Sequence, residues 1–123
     1  MVTTDISQLT AECNTWIINL RKYREEFTQF KKRLQEAASR QMSKKNLEDV
    51  EHYQNQFHIQ LINIHDVKHA VKEHERIAGW ELSSGKGISD AVWAKHEDLY
   101  NRYQHLENTL RELSEDFNRF INQ

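Results

Sequence analysis

The sequence predicts an all-α fold: an elongated up-down-up bundle of three antiparallel helices with coiled-coil-like heptad packing. Three observations carry that prediction. Apolar residues recur at alternating spacings of three and four along most of the chain, the mark of helices with one buried seam. Proline is absent from all 123 residues. The three glycines fall between positions 79 and 87, in the one stretch that has to reverse the chain. A length close to that of one domain, without any linker-like change in composition, predicts a single domain over residues 1–123.

Helix A is expected over about residues 5–40. Its apolar positions are Ile6, Leu9, Cys13, Trp16, Leu20, Tyr23, Phe27, Phe30, Leu34 and Ala37, with Arg, Lys, Glu and Gln filling most of the positions between them. Thr4 or Asp5 is expected to cap its start. The connection to the next helix lies around Ser39 to Asn46, with Ser43 or Asn46 as alternative N-caps.

Helix B, about residues 46–78, reads best as Leu47, Val50, Gln54, Phe57, Leu61, Ile64, Lys68, Val71, Glu75 and Ala78. Gln54, Lys68 and Glu75 are polar, so the stripe drifts, and Tyr53 and Val67 are expected to replace seam residues where the heptad breaks. Gly79 is the expected left-handed stop. The loop over 79–88 should then tuck Trp80, Leu82 and Ile88 over the end of the bundle.

Helix C, about residues 89–121, places Val92, His96, Leu99, Tyr103, Leu106, Leu110, Leu113, Phe117 and Phe120 on its seam, His96 alone being strongly polar. Ser89 is the expected N-cap, and Asp90 in the first turn suits the helix dipole. Connections this short make neighbouring helices antiparallel. In outline the result resembles spectrin-type repeats, on the heptads and the tryptophan of helix A alone; the resemblance implies an architecture and no activity.

Composition narrows the functional classes. Lys and Arg number 17 against 19 Asp and Glu, a net charge of −2, so no whole-molecule field attracts an acidic membrane, and nucleic acid is not an expected partner. The longest apolar runs, Trp16-Ile17-Ile18 and Ala91-Val92-Trp93, are far short of the ~20 residues that span a bilayer. The first twenty residues hold no apolar run long enough for a secretory h-region, so secretion by that route is not expected. Cys13 has no partner in the chain and sits in an apolar repeat, which predicts a small buried hydrophobe and a reducing, cytoplasmic setting.

No catalytic constellation is legible. The glycine-bearing loop lacks a preceding strand, and Lys86 is followed by Gly87 instead of Ser or Thr, so it is not a phosphate loop. No nucleophile elbow or opposed carboxylate pair is evident, and neither enzyme activity nor a cofactor is expected. Histidine is abundant, with five of seven in helix B: His52, His58, His65, His69 and His74. His65 and His69 stand one turn apart and form the one weak candidate pair for a metal ion, which would need further ligands from elsewhere. His96 is expected to be a seam imidazole satisfied by a partner such as Gln54, Glu75 or Tyr23.

Two surfaces remain. Residues 21 to 45 hold nine Lys and Arg against three Glu, and Lys31, Lys32, Arg33, Arg40, Lys44 and Lys45 form a basic patch at the A/B hairpin end suited to an acidic partner. Ile59 and Ile62 point away from the seam of helix B, and Ile17 and Ile18 flank that of helix A. Clustered β-branched residues outside a seam predict a further packing helix, met most simply by a homodimer in which helix B lies against its copy and brings His65 and His69 near the two-fold axis. The expected role is a non-enzymatic protein-interaction or assembly module that self-associates, with metal binding at His65 and His69 or acidic-partner binding as alternatives.

Overall fold

Long runs of alternating apolar spacing, uninterrupted by proline, leave the backbone free to stay helical for many turns. A computed structural model describes residues 3–40, 44–85 and 87–122, with side chains from Ile6 onward. It contains α1 (Thr3–Ala38), α2 (Lys44–Ser83) and α3 (Asp90–Ile121), and all three pack on one another. At ~1.5 Å per residue the 40 residues of α2 extend about 60 Å. Among the described residues, no helix is long and apolar enough to cross a membrane.

Side-chain pairings define the direction of each helix. Trp16 stacks on His96 and Tyr103, and Phe30 meets Phe117, so α1 and α3 run parallel. Phe27 meets Phe57, whereas Cys13, far up α1, lies beside His74, far down α2, so these two run antiparallel. The topology is up-down-up, as predicted.

The seams of α1 and α3 are those read from the sequence: Leu9, Cys13, Trp16, Leu20, Phe27, Phe30 and Leu34 are buried on α1, and Val92 through Phe117 on α3. In α2 the register differs. Val50, Phe57, Ile64, Val71 and Ala78 are buried as expected, and Val67 and the half-buried Tyr53 replace seam residues as expected, but the other residues between them are Gln60 and His74. Gln54 is exposed, and Leu61, Lys68 and Glu75 are half-buried at the edge. The second line of the heptad thus runs three residues after the first instead of four. It is sustained because the buried polar members find partners: Asn63 Nδ2 donates to Gln60 Oε1 at 3.1 Å, and His74 meets His96.

Ile17 is also corrected. It is buried, because the apolar stripe of α1 is wider than a strict two-position seam, and only Ile18 stays outside.

The helix ends move by a few residues, most at α2. Gly79 lies inside the helix, which continues to Ser83. The left-handed turns fall at Gly85 and Gly87, with φ of +82° and +74°, conformations that favour glycine. Glu81 explains the extension: its carboxylate accepts from Ser89 N–H at 2.7 Å and Ser89 Oγ–H at 3.0 Å, tying the last turn of α2 to the start of α3. Ser89 is the N-cap predicted for α3, its hydroxyl oxygen accepting from Val92 N–H. As a result Trp80 and Leu82 are exposed on a helix instead of tucked over the end; Ile88 alone packs against the core. At the other ends, α1 begins at Thr3, so Thr4 and Asp5 fall within it, and α2 begins at Lys44, which removes Asn46 as its cap. Ser43, the other proposed cap, lies outside the described residues.

Two dissimilar layers lie toward the two ends of the core, with Leu34 and Val50 beyond one and Leu9, Ala78 and Val92 beyond the other. Toward the α1–α2 connection, Phe27, Phe30, Phe57 and Phe117 pack with ring centroids 4.8–5.7 Å apart, joined by Tyr53 and Phe120. Toward the α2–α3 loop the core holds Cys13, His74 and His96 under the indole of Trp16.

Candidate functional site

Each helix supplies one residue to this second layer. Cys13 on α1, His74 on α2 and His96 on α3 all stand at seam positions, so the heptad geometry that builds the core also points their side chains at one another. His74 Nε2 and His96 Nδ1 are 3.1 Å apart, the Cys13 sulfur is 4.0 Å from His96 Nδ1, and the three donor atoms all lie within 4.8 Å of one another. Trp16 stacks on His96 at 4.9 Å, and Trp93 meets it edge-on at 6.1 Å. Among the described residues this is the one place where three or more Cys, His, Asp or Glu side chains converge so closely.

Tautomers follow from the surroundings. His96 Nε2 is buried and has no hydrogen-bond partner among the described residues, and Glu12 Oε1 stands 3.7 Å from it. A carboxylate at that distance favours a proton on Nε2, which leaves Nδ1 to accept from His74 Nε2–H. Burial pushes both imidazoles below the ordinary histidine range; for His74 the neighbouring His96 and Lys95 add to the effect, and for His96 Glu12 opposes it without reversing it. Burial, with the fields of Glu75 and Glu12, pushes the Cys13 thiol up to about 12, so it is protonated. Glu75 is itself pushed up by burial.

A pH dependence follows. Well above 6.5 these two histidines are neutral both folded and unfolded and contribute no slope. Below 6.5 the unfolded chain binds protons that the folded chain refuses, so stability falls with pH until the folded values are reached. Urea midpoints recorded across that range should decline below 6.5 for the wild type and decline less for His74→Leu; a wild-type midpoint flat through that range would contradict the buried neutral pair.

The histidines singled out in the sequence lie elsewhere. His65 and His69 are exposed, their rings parallel with centroids 6.5 Å apart, on the rim of a groove shared with Arg24, Lys68 and Lys72. Burial, and then the fields of Arg24, Lys72 and Arg21, push the Lys68 amine down, and that gathering of cations is a poor setting for a metal cation. Ile59 and Ile62 are 46% and 48% exposed and Ile18 50%, as an outward face requires. In the basic patch, Lys32, Arg33, Arg40, Lys44 and Lys45 are exposed and Lys31 half-buried, gathered where α1 ends and α2 begins. Arg33 sits over the Phe117 ring at 5.8 Å. None of the six makes an ion pair with a described acid.

Sequence reading found two members of the buried layer and missed their union. Cys13 and His96 were each on a seam, but His74 fell off the register assigned to helix B, so His96 was matched with Gln54, Glu75 or Tyr23 instead of its actual partner. The signal that finds it is the shared height of the three positions: parallel α1 and α3 place 13 beside 96, and antiparallel α2 brings 74 to the same level. No protein-family model matches this chain, and neither a curated protein nor a solved structure matches it.

Proposed function

We propose that this chain is a non-enzymatic protein-interaction or assembly module that self-associates through the outer face of α2. One observation carries the reading: at ~100° per residue, Ile59, Ile62, Ile77 and Trp80 fall on one stripe of α2 opposite its buried seam, and all four are among the exposed large hydrophobic residues. An antiparallel pairing of α2 with a second copy, centred near His69, sets Ile59 and Ile62 of one chain against Ile77 and Trp80 of the other. Burial of that apolar stripe drives association, and the charged residues beside it set the register. A reduced, buried Cys13 fits a reducing compartment such as the cytoplasm.

Light scattering tests the reading. The wild type should be a dimer, and Ile59→Glu with Ile62→Glu should make it monomeric with helicity retained; a monomeric wild type, or a mass unchanged by the substitutions, overturns it. A second reading has its own support in the cations Lys32, Arg33, Arg40, Lys44 and Lys45, none of which makes an ion pair with a described acid. Docking of an acidic protein there would weaken steeply with added salt, whereas association through the apolar stripe would not.

A further inference from the structure

We infer that Cys13, His74 and His96 form a binding site for a borderline-soft divalent metal ion of the zinc class, held in the core between all three helices. The donor set is the first ground. One thiol and two imidazoles are the ligands such ions prefer, and magnesium or calcium would want oxygen. Geometry is the second. Zinc bonds of ~2.3 Å to sulfur and ~2.0 Å to nitrogen in a tetrahedron put ligand atoms roughly 3.3–3.6 Å apart. His74 Nε2 and His96 Nδ1 are at 3.1 Å, Sγ and Nδ1 at 4.0 Å, and all three atoms lie within 4.8 Å of one another, so shifts of up to about 1 Å bring them into place.

Proton accounting is simple. The ion displaces the thiol proton of Cys13, which leaves for solvent. His74 gives up its Nε2 proton to the ion's lone-pair requirement and carries one on Nδ1 instead, while His96 already carries its proton on Nε2, facing Glu12. One proton is released in all. A dication with one thiolate leaves a charge of +1 in the core, and the Glu12 and Glu75 carboxylates that act on Cys13 are placed to balance it. The same carboxylates disfavour the bare thiolate, so the cation is the species that this setting stabilises.

A groove of about 220 Å³ opens between α1 and α2, lined by Leu9 and Ala78, one turn from Cys13 and His74, with Glu75 on its wall. Three protein ligands leave the fourth position of a tetrahedral ion to water or to that carboxylate. Trp16, stacked on His96, holds the imidazole plane in position. The site stands apart from the outer face of α2, and neither depends on the other.

The test uses the full chain, reduced and stripped with a chelator, then titrated with Co²⁺ and with Zn²⁺. Expected are one Co²⁺ per chain with a thiolate-to-metal charge-transfer absorption, its displacement by Zn²⁺ but not by excess Mg²⁺, release of one proton per ion, and a zinc-dependent rise in unfolding temperature. Cys13→Ser should abolish the charge-transfer band, and His74→Leu should weaken binding about 100-fold or more; His65→Ala with His69→Ala should change neither. Circular dichroism checks each variant, and the near-isosteric Cys13→Ser decides the matter if His74→Leu does not fold. Absence of the charge-transfer band in the wild type, binding unaltered in Cys13→Ser, or binding lost in the His65 and His69 variant each overturns the site.

Discussion

Phe57→Ala lowers the stability of the bundle by about 3–5 kcal/mol, read as a fall in the urea midpoint at unchanged slope. Phe57 is fully buried and touches rings from both other helices: Phe27 at 5.4 Å, Phe30 at 5.7 Å, and Phe117 edge-on at 4.9 Å. Removing it deletes the transfer energy of a whole ring and the edge-to-face contacts with Phe27 and Phe117. The surrounding rings sit on long, stiff helices that cannot close in, so most of the cavity stays open and its cost is added. Phe120→Ala, at a half-buried position near the end of α3, provides the control and should cost clearly less. A loss below about 1.5 kcal/mol for Phe57→Ala would contradict the packing of this layer.

The second large effect separates the two registers of α2. Val67→Asp places a carboxylate at a position only 3% exposed, within the apolar cluster of the core. An unpaired buried charge costs several kcal/mol, a large share of the ~5–15 kcal/mol that holds a domain folded. The variant should lose most of its helical signal or melt far below the wild type. Lys68→Asp, one residue on, should stay folded and within about 0.5 kcal/mol of the wild type, since it faces the groove and gains the company of Arg21, Arg24 and Lys72. Were Lys68 the seam residue, as an unbroken heptad would require, the two outcomes would be reversed.

That ambiguity shows what the sequence made legible. In α1 and α3 nearly every seam position is apolar, so one register stands out and the structure adopts it. In α2 both candidate registers share Val50, Phe57, Ile64, Val71 and Ala78 and differ only in the line between them. Each alternative includes polar residues: Gln54, Lys68 and Glu75 in one, Gln60 and His74 in the other. Apolar counting penalises both and cannot see that Gln60 and His74 are each met by a specific partner, Asn63 and His96. The candidate metal layer was hidden for the same reason, because one of its three members belonged to the unchosen line. Gly79 misled for a related cause: glycine ends a helix only where the backbone turns left-handed, and the Glu81–Ser89 contacts hold that turn at Gly85 and Gly87.

The unlike ends of the core also bear on how the molecule breathes. An end filled with interlocking phenylalanine rings opens only at a free energy near that of global unfolding. An end holding two imidazoles and a thiol has less apolar area to lose and exposes groups that water welcomes. Amide hydrogen exchange should therefore be slowest in the turns around Phe27, Phe57 and Phe117 and faster around Cys13, His74 and His96, a gradient running along the rod. Sub-global opening from that end would pass an ion of the size proposed here in and out of a core that is otherwise sealed, without the phenylalanine layer ever coming apart.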